Sequence, residues 1–181
     1  MSDKGSIIFG GRYELKKRIA RGGMAEVFLG EDQLLGRSVA VKVLFPEFAS
    51  DPNFVERFRR EAQAAANLSH PNIVGVFDWG KERNTYYIVM EYVEGRTLSQ
   101  IIRNEGPLPT ARVAEIADAI ASAVGFAHKG NVVHRDMKPG NVIISDTGQI
   151  KVADFGIATA ISTGSDAELT QAGAVMGTAN Y

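Results

Sequence analysis

Two carboxylates and an amide stand near one short loop: Asp136, Asn141 and Asp154. Asp136 lies in His134-Arg135-Asp136-Met137-Lys138-Pro139-Gly140-Asn141. Asp154-Phe155-Gly156 follows after two apolar runs, Val142-Ile143-Ile144 and Ile150-Lys151-Val152-Ala153. Between the runs, Ser145-Asp146-Thr147-Gly148 is a turn signal, so the pair reads as a hairpin. A hairpin brings its ends together, and with them Asp136, Asn141 and Asp154. Oxygen donors gathered this way suit a magnesium ion held by Asn141 and Asp154. Asp136 can then accept a hydrogen bond from an attacking hydroxyl and orient it. Lys138 would place positive charge where a transferring group develops negative charge. The plain alternative is a polar surface loop, in which any three of these residues would be unremarkable.

A second pair points the same way. Lys42 sits in Val39-Ala40-Val41-Lys42-Val43-Leu44-Phe45, apolar on both sides of the pleat. A lone ammonium in such a strand carries a large desolvation cost unless it is partnered. The segment that follows reads as a helix, and Phe54, Phe58, Ala65 and Leu68 fall on one of its faces. Glu61 lies on that same stripe, so Lys42 and Glu61 call for each other. Taken alone, the pair fits a structural salt bridge as well as a functional lysine.

The segment Ala20-Arg21-Gly22-Gly23-Met24-Ala25-Glu26-Val27 holds two glycines whose backbone N–H groups could approach a phosphate closely. On its own it reads as an ordinary hairpin turn. A strand follows it rather than a helix, which excludes a dinucleotide fingerprint.

The elements that must position these residues fall into two sets. Strands are expected over 13–19, 26–30, 37–45, 74–79 and 85–92. One helix runs from Pro52, capped by Asp51, to about Leu68. Val93-Glu94-Gly95 breaks the pattern and reads as a hinge. Helices over 97–104 and 110–128 follow, separated by Pro107 and Pro109, and then the loop and hairpin. The expected class is therefore α+β and bilobal. Residues 1–92 form an antiparallel-sheet lobe of five strands and one helix, and 93–181 a hinge with a helical lobe.

Composition sets outer bounds. The 181 residues are 45% hydrophobic, enough for one domain or two small lobes around a real core. A net charge of −1 offers no footprint for nucleic acid or an anionic membrane. With no cysteine there is no disulfide framework, thiolate metal site or cysteine nucleophile. Met1-Ser2-Asp3-Lys4-Gly5 lacks the order of a signal peptide. No apolar run reaches the roughly 20 residues of a membrane span. Val113 to His128 comes closest, but Glu115 and Asp118 interrupt it and its periodicity reads as a buried amphipathic helix.

Taken together, Lys42, Glu61, the eight-residue loop and Asp154-Phe155-Gly156 resemble the catalytic signature of eukaryotic-like protein serine/threonine kinases. The motifs are most similar to the bacterial, actinobacterial-type receptor kinases that carry PASTA domains. Gly22-Gly23-Met24, Phe58-Arg59-Arg60-Glu61-Ala62, His70-Pro71-Asn72-Ile73-Val74 and Met137-Lys138-Pro139-Gly140-Asn141-Val142 carry that likeness. It covers roughly residues 12 to 181, and Lys138 marks the Ser/Thr branch. In the glycine segment only Gly22 is in register with the kinase pattern, and alanines stand at 20 and 25.

The resemblance implies transfer of the ATP γ-phosphoryl group to Ser or Thr hydroxyls of proteins, autophosphorylation included. Mg2+ is the expected cofactor, with Mn2+ as an alternative. Lys42, held by Glu61, would contact the phosphates, with Ala20, Gly22 and Gly23 above them. Ile19, Val27, Ala40 and Ile143 would sandwich adenine. Met90 would guard the back of the pocket, and backbone groups of Glu91 and Val93 would pair with the base. Phe155 would pack under the helix of Glu61. Arg135 would pair with a phosphate on the segment from Asp154 to Tyr181, where Thr170 is the expected regulatory phosphosite and Thr178 part of the substrate platform. The family continues beyond the Gly177-Thr178 element, so the chain is expected to be a fragment, with an apolar side of the 110–128 helix exposed. A nucleotide-binding or dimerising module without turnover is the alternative. The expected location is the cytoplasm, with the chain as the cytoplasmic domain of a single-pass membrane protein as the variant. The expected partners are protein substrates and a second copy of the chain, with no nucleic acid and no membrane contact.

Overall fold

The computed structural model describes residues 6–155. The chain divides into two compact units, Met1–Ala62 with Gly75–Tyr92, and Gln63–Val74 with Val93–Tyr181.

Unit 1 is built on a six-stranded antiparallel sheet. Its strands are β1 (Ile7–Phe9), β2 (Tyr13–Arg21), β3 (Ala25–Asp32), β4 (Arg37–Leu44), β5 (Val76–Glu82) and β6 (Thr85–Glu91), in the order β1-β2-β3-β4-β6-β5. Alternation along β4 separates two cores. Val39 and Val41 pack with Phe9, Tyr13, Tyr87 and Val89. Leu44 packs with Ala25, Ile88, Phe58 and Ala62 on the other side. The last two belong to helix α2 (Pro52–Ala66), which begins where Asp51 accepts the Asn53 N–H at 2.8 Å. Phe58 is fully buried, worth about 1.5–3 kcal/mol of burial.

Five strands and one helix were expected here, and the sheet has a sixth strand and a further short helix. Gly10 and Gly11, at φ +58° and +62°, fold Ile7–Phe9 back onto β2. Three residues are too short a run for the alternation signal. Helix α1 (Pro46–Ala49) opens with the proline that ends β4.

Unit 2 holds β7 (Gly95–Thr97), α3 (Leu98–Glu105), α4 (Thr110–Lys129), β8 (Val142–Ser145) and β9 (Ile150–Val152). A capping box starts α3: Thr97 Oγ1 accepts the Gln100 N–H at 3.2 Å, and Gln100 Oε1 accepts the Thr97 N–H at 2.9 Å. Ile101, Ile116, Ala119, Val142, Ile144 and Ile150 form the core between these helices and the hairpin. On α4 only the stripe Ile116, Ala119, Ala123 and Ala127 is buried, while Val113 and Phe126 stand 49% and 37% exposed. The apolar residues of the helix are thus shared between an inner stripe and a solvent face.

Two sequence-based boundaries differ. Residues 63–74 group with unit 2 rather than with the sheet lobe. Ile73 bridges to Val152, the Val74 N–H donates to Val152 O at 2.9 Å, and the Val152 N–H donates to Asn72 O at 2.8 Å. The expected hinge at Val93-Glu94-Gly95 ends inside a strand, where Gly95 pairs with Ser145. A Cβ on Gly95 would stand 2.2 Å from Ile144 O, so close strand approach, rather than flexibility, demands glycine there.

Candidate active site

In unit 1 the strand register gathers the predicted residues on one sheet face. Ala20 lies opposite Val27, Val27 opposite Lys42, and Ala40 opposite Met90. Directly opposed residues share a face, so Ala20, Val27, Ala40, Lys42 and Met90 line the side where α2 packs. Lys42 Nζ donates to Glu61 Oε1 at 2.6 Å, with the two side chains 8% and 5% exposed. In this dry setting the charges hold each other strongly, and each relieves a cost that neither could carry alone.

The glycine turn is closed on itself, with the Gly22 N–H donating to Ala25 O at 2.8 Å and Gly23 beside it. Ile19 is displaced by an irregularity of β2 and is 44% exposed. The Glu91 N–H donates to Gly75 O at 2.8 Å, which restricts any base contact of Glu91 to its carbonyl. A cavity of about 530 Å³ in this unit is lined by Phe9, Leu15, Phe28 and Val43, among others. It opens on the face opposite Lys42, away from the candidate chemistry.

In unit 2 the hairpin assembles the loop. The Ala153 N–H donates to Asn141 O at 2.8 Å, which sets Asp154 beside the end of β8. Asn141 Nδ2 donates to Asp136 O at 2.8 Å, and the Asn141 N–H to Lys138 O at 2.9 Å. Lys138 Nζ holds Asp136 Oδ2 at 2.5 Å. Asp136, Lys138, Asn141 and Asp154 are therefore tied into one substructure. Arg135 and Asp154 adopt φ +64° and +62°, a left-handed backbone that non-glycine residues seldom hold without surrounding support. Val93 opens the second segment of this unit, and Ile143 shares a hairpin face with Lys151, opposite the face that Val142 and Ile144 give to the core.

His134 is a further working residue of the loop, with no role marked by its place in the motif. Its buried ring lies edge-on to Phe155, 4.8 Å between centroids. Nε2 is 2.9 Å from Ala153 O, and a carbonyl only accepts, so Nε2 carries the proton. Nδ1 is then the acceptor for the Asp136 N–H at 3.3 Å. One neutral imidazole thus clips the backbone of Asp136 to the strand end before Asp154. The histidine was visible in the motif, but its two partners lie on separate segments that only folding brings together.

A magnesium ion fits the donor set. Among the described residues no three His, Cys, Asp or Glu side chains cluster as metal ligands. Magnesium needs only one or two carboxylates beside phosphate oxygens and water. Asn141 has committed its amide nitrogen to Asp136 O, so its amide oxygen is the atom it can offer a cation. Gly156, Thr159, Ser162, Thr163, Ser165, Thr170 and Thr178 lie outside the described residues.

A curled antiparallel sheet carrying a buried Lys–Glu pair, and a helical unit carrying an Asp-x-Lys-x-x-Asn loop, are the parts of a protein-kinase fold. Residues 13–181 match the family model described as "Protein kinase domain", and the chain belongs to that family. It is 49% identical over 171 residues to the serine/threonine-protein kinase PrkC of Bacillus subtilis, covering 94% of this chain and 26% of that protein. It is 46% identical over 186 residues to PknA of Mycobacterium tuberculosis, covering 100% of this chain and 42% of that protein. The crystal structure of the M. tuberculosis PknI kinase domain superposes with a TM-score of 0.74 at 36% identity, covering 85% of this chain and 63% of that one. The chain thus spans well under half the length of these two kinases.

Proposed function

We propose that the protein carrying this chain transfers the γ-phosphoryl group of ATP to Ser or Thr hydroxyls of proteins. The observation that carries the reading is the loop in which Asp136 is held at its carboxylate by Lys138, at its carbonyl by Asn141 and at its N–H by His134. Asp136 accepts the hydrogen bond of the incoming hydroxyl and turns its oxygen toward phosphorus. The new O–P bond forms as the bond between the γ-phosphorus and the bridging oxygen of ADP breaks, and the hydroxyl proton passes to Asp136. Lys138 compensates the charge on the transferring group. Lys42, positioned by Glu61, binds the α- and β-phosphates. A magnesium ion held by Asn141 and Asp154 supplies charge neutralisation when bound, with Mn2+ as the substitute. Ala20, Gly22 and Gly23 are assigned to the phosphates, Ile19, Val27, Ala40 and Ile143 to the faces of the base, Met90 to the back of its pocket, and the Glu91 carbonyl and Val93 to its edge. Thr170 is assigned as a regulatory phosphosite and Thr178 as part of the substrate platform.

A second reading is nucleotide binding without turnover: with the Gly22 N–H committed to Ala25 O, the turn has one donor fewer for a transferring phosphate. One experiment separates the two. Transfer of radiolabelled phosphate from ATP to a protein acceptor is measured for the parent protein and for Asp136→Asn. The kinase reading expects transfer that falls by about 10²–10⁴-fold in the variant. Nucleotide binding with no transfer in the parent supports the module, and an undiminished rate in Asp136→Asn removes the assigned base. No helix among the described residues is long and apolar enough to cross a membrane. A parent that is a single-pass membrane protein with this chain in its cytoplasmic domain, and self-association, belong to the same proposal.

A further inference from the structure

Unit 1 contains a ladder of rings and cations that the assigned residues do not use. The Arg21 guanidinium carbon lies 5.0 Å from the Phe45 ring centre. Phe45 is 6.4 Å from Phe48, and Phe48 is 4.7 Å from Phe54. The Arg57 guanidinium closes the series 4.7 Å from the Phe54 ring. Arg21 is the last residue of β2, next to Gly22 and Gly23. Phe54 and Phe58 stand one helical turn apart on α2, and Glu61 lies less than a turn further on.

The backbone follows the same route. The Phe45 N–H donates to Met24 O at 2.9 Å, which anchors the glycine turn to the end of β4. Phe45 O then accepts from Phe48 at 3.0 Å and from Ala49 at 3.2 Å. Phe48 O accepts from Asp51 at 3.2 Å, and Asp51 O from Phe54 at 3.1 Å. Phe45, Phe48 and Phe54 are each only half-buried, unlike Phe58 in the core. Phe48 also packs against the core of Leu44 and Phe58, while the three rings, tilted by 37° and 42° from one to the next, run in a row between two arginines. Close-packed side chains transmit strain, so a displacement at one end of such a row is passed along it.

We propose that this ladder positions the glycine turn and the Glu61 helix as one piece, so that the two phosphate-facing elements of unit 1 form or fail together. Phe48 is the central positioning residue. The inference rests on the reading of unit 1 as a nucleotide-binding unit, and it adds residues that the motif does not contain.

The test measures affinity for fluorescently labelled ADP with Mg2+ in the full-length protein, together with thermal midpoints. Phe48→Leu is expected to weaken binding about fivefold while Phe48→Tyr binds as the parent does. Arg21 and Phe54 do not touch in the series, being separated by Phe45 and Phe48. In Arg21→Gln/Phe54→Leu the loss should nonetheless equal that of the stronger single variant. The ladder is overturned if Phe48→Leu lowers the thermal midpoint but keeps affinity within about twofold, or if the two single losses multiply in the double variant. A parent protein that binds no labelled ADP defeats the kinase reading and the ladder's role with it. Binding by the parent with unchanged affinity in every variant overturns the ladder alone.

Discussion

Replacing Glu61 with glutamine keeps the side chain's size, removes its charge and leaves the Lys42 ammonium in a site where it is 8% exposed. At 2.6 Å the two charges attract by about 6 kcal/mol at an effective dielectric of about 20. Most of that is offset by the several kcal/mol that each ion loses on leaving water. The pair therefore adds little relative to an apolar pair, yet breaking it from one side costs about 3–5 kcal/mol. The amide oxygen of glutamine returns about 1 kcal/mol as a neutral acceptor. A loss of about 2–4 kcal/mol is expected for Glu61→Gln, and about 3–5 kcal/mol for Lys42→Met. The double variant buries no charge and should be more stable than either single one. Urea denaturation with an unchanged slope gives these values, and a thermal midpoint lower by about 2–4 °C per kcal/mol accompanies them. A Glu61→Gln protein within about 0.5 kcal/mol of the parent, or a double variant whose losses add, would refute the reasoning.

Other consequences are as direct. His134→Phe keeps the ring beside Phe155 but removes the bonds to Ala153 O and the Asp136 N–H, so stability should fall by about 1–3 kcal/mol. Its phosphate transfer should fall further than the unfolded fraction accounts for, measured under conditions where the variant is folded. Gly95→Ala drives a Cβ to 2.2 Å from Ile144 O and should cost about 1–3 kcal/mol, with faster amide exchange in β7 and β8 than in β2 to β4. Asp32 is fully buried and paired to Arg12 at 2.7 Å, which holds its carboxyl down to about 2. A carboxyl held below its unfolded value stabilises the fold above about pH 4, and that stability drains as pH falls through about 2. Arg12→Ala should therefore move the acid-unfolding midpoint upward, read by circular dichroism; an unmoved midpoint would assign acid unfolding to other carboxylates.

The strands of the sheet lobe, helix α2 with its Asp51 cap and the β8–β9 hairpin were readable from alternation, helical spacing and turn residues, because these are local signals. The same holds for the demand that Lys42 and Glu61 meet, since a buried charge on an apolar stripe needs a partner wherever it lies. Ile7–Phe9 was not readable, because three residues carry no period and their pairing depends on the Gly10-Gly11 reversal. Residues 63–74 group with the second unit for a related reason. Their bonds to Ile150 and Val152 join segments about eighty positions apart, and nothing local announces them.

By itself, then, the sequence determined which groups are candidates for phosphoryl-transfer chemistry: Lys42, Glu61, Asp136, Lys138, Asn141 and Asp154, each marked by residue type and by its place in one strand, helix or loop. Only the tertiary structure decided how those groups are held. It set Lys42 in the same sheet face as Ala20, Val27 and Ala40, closed the glycine turn through Gly22, and made His134 the clip between Asp136 and the strand before Asp154. Those arrangements follow from register and from hydrogen bonds between distant segments, which hydrophobic periodicity along a single segment does not encode.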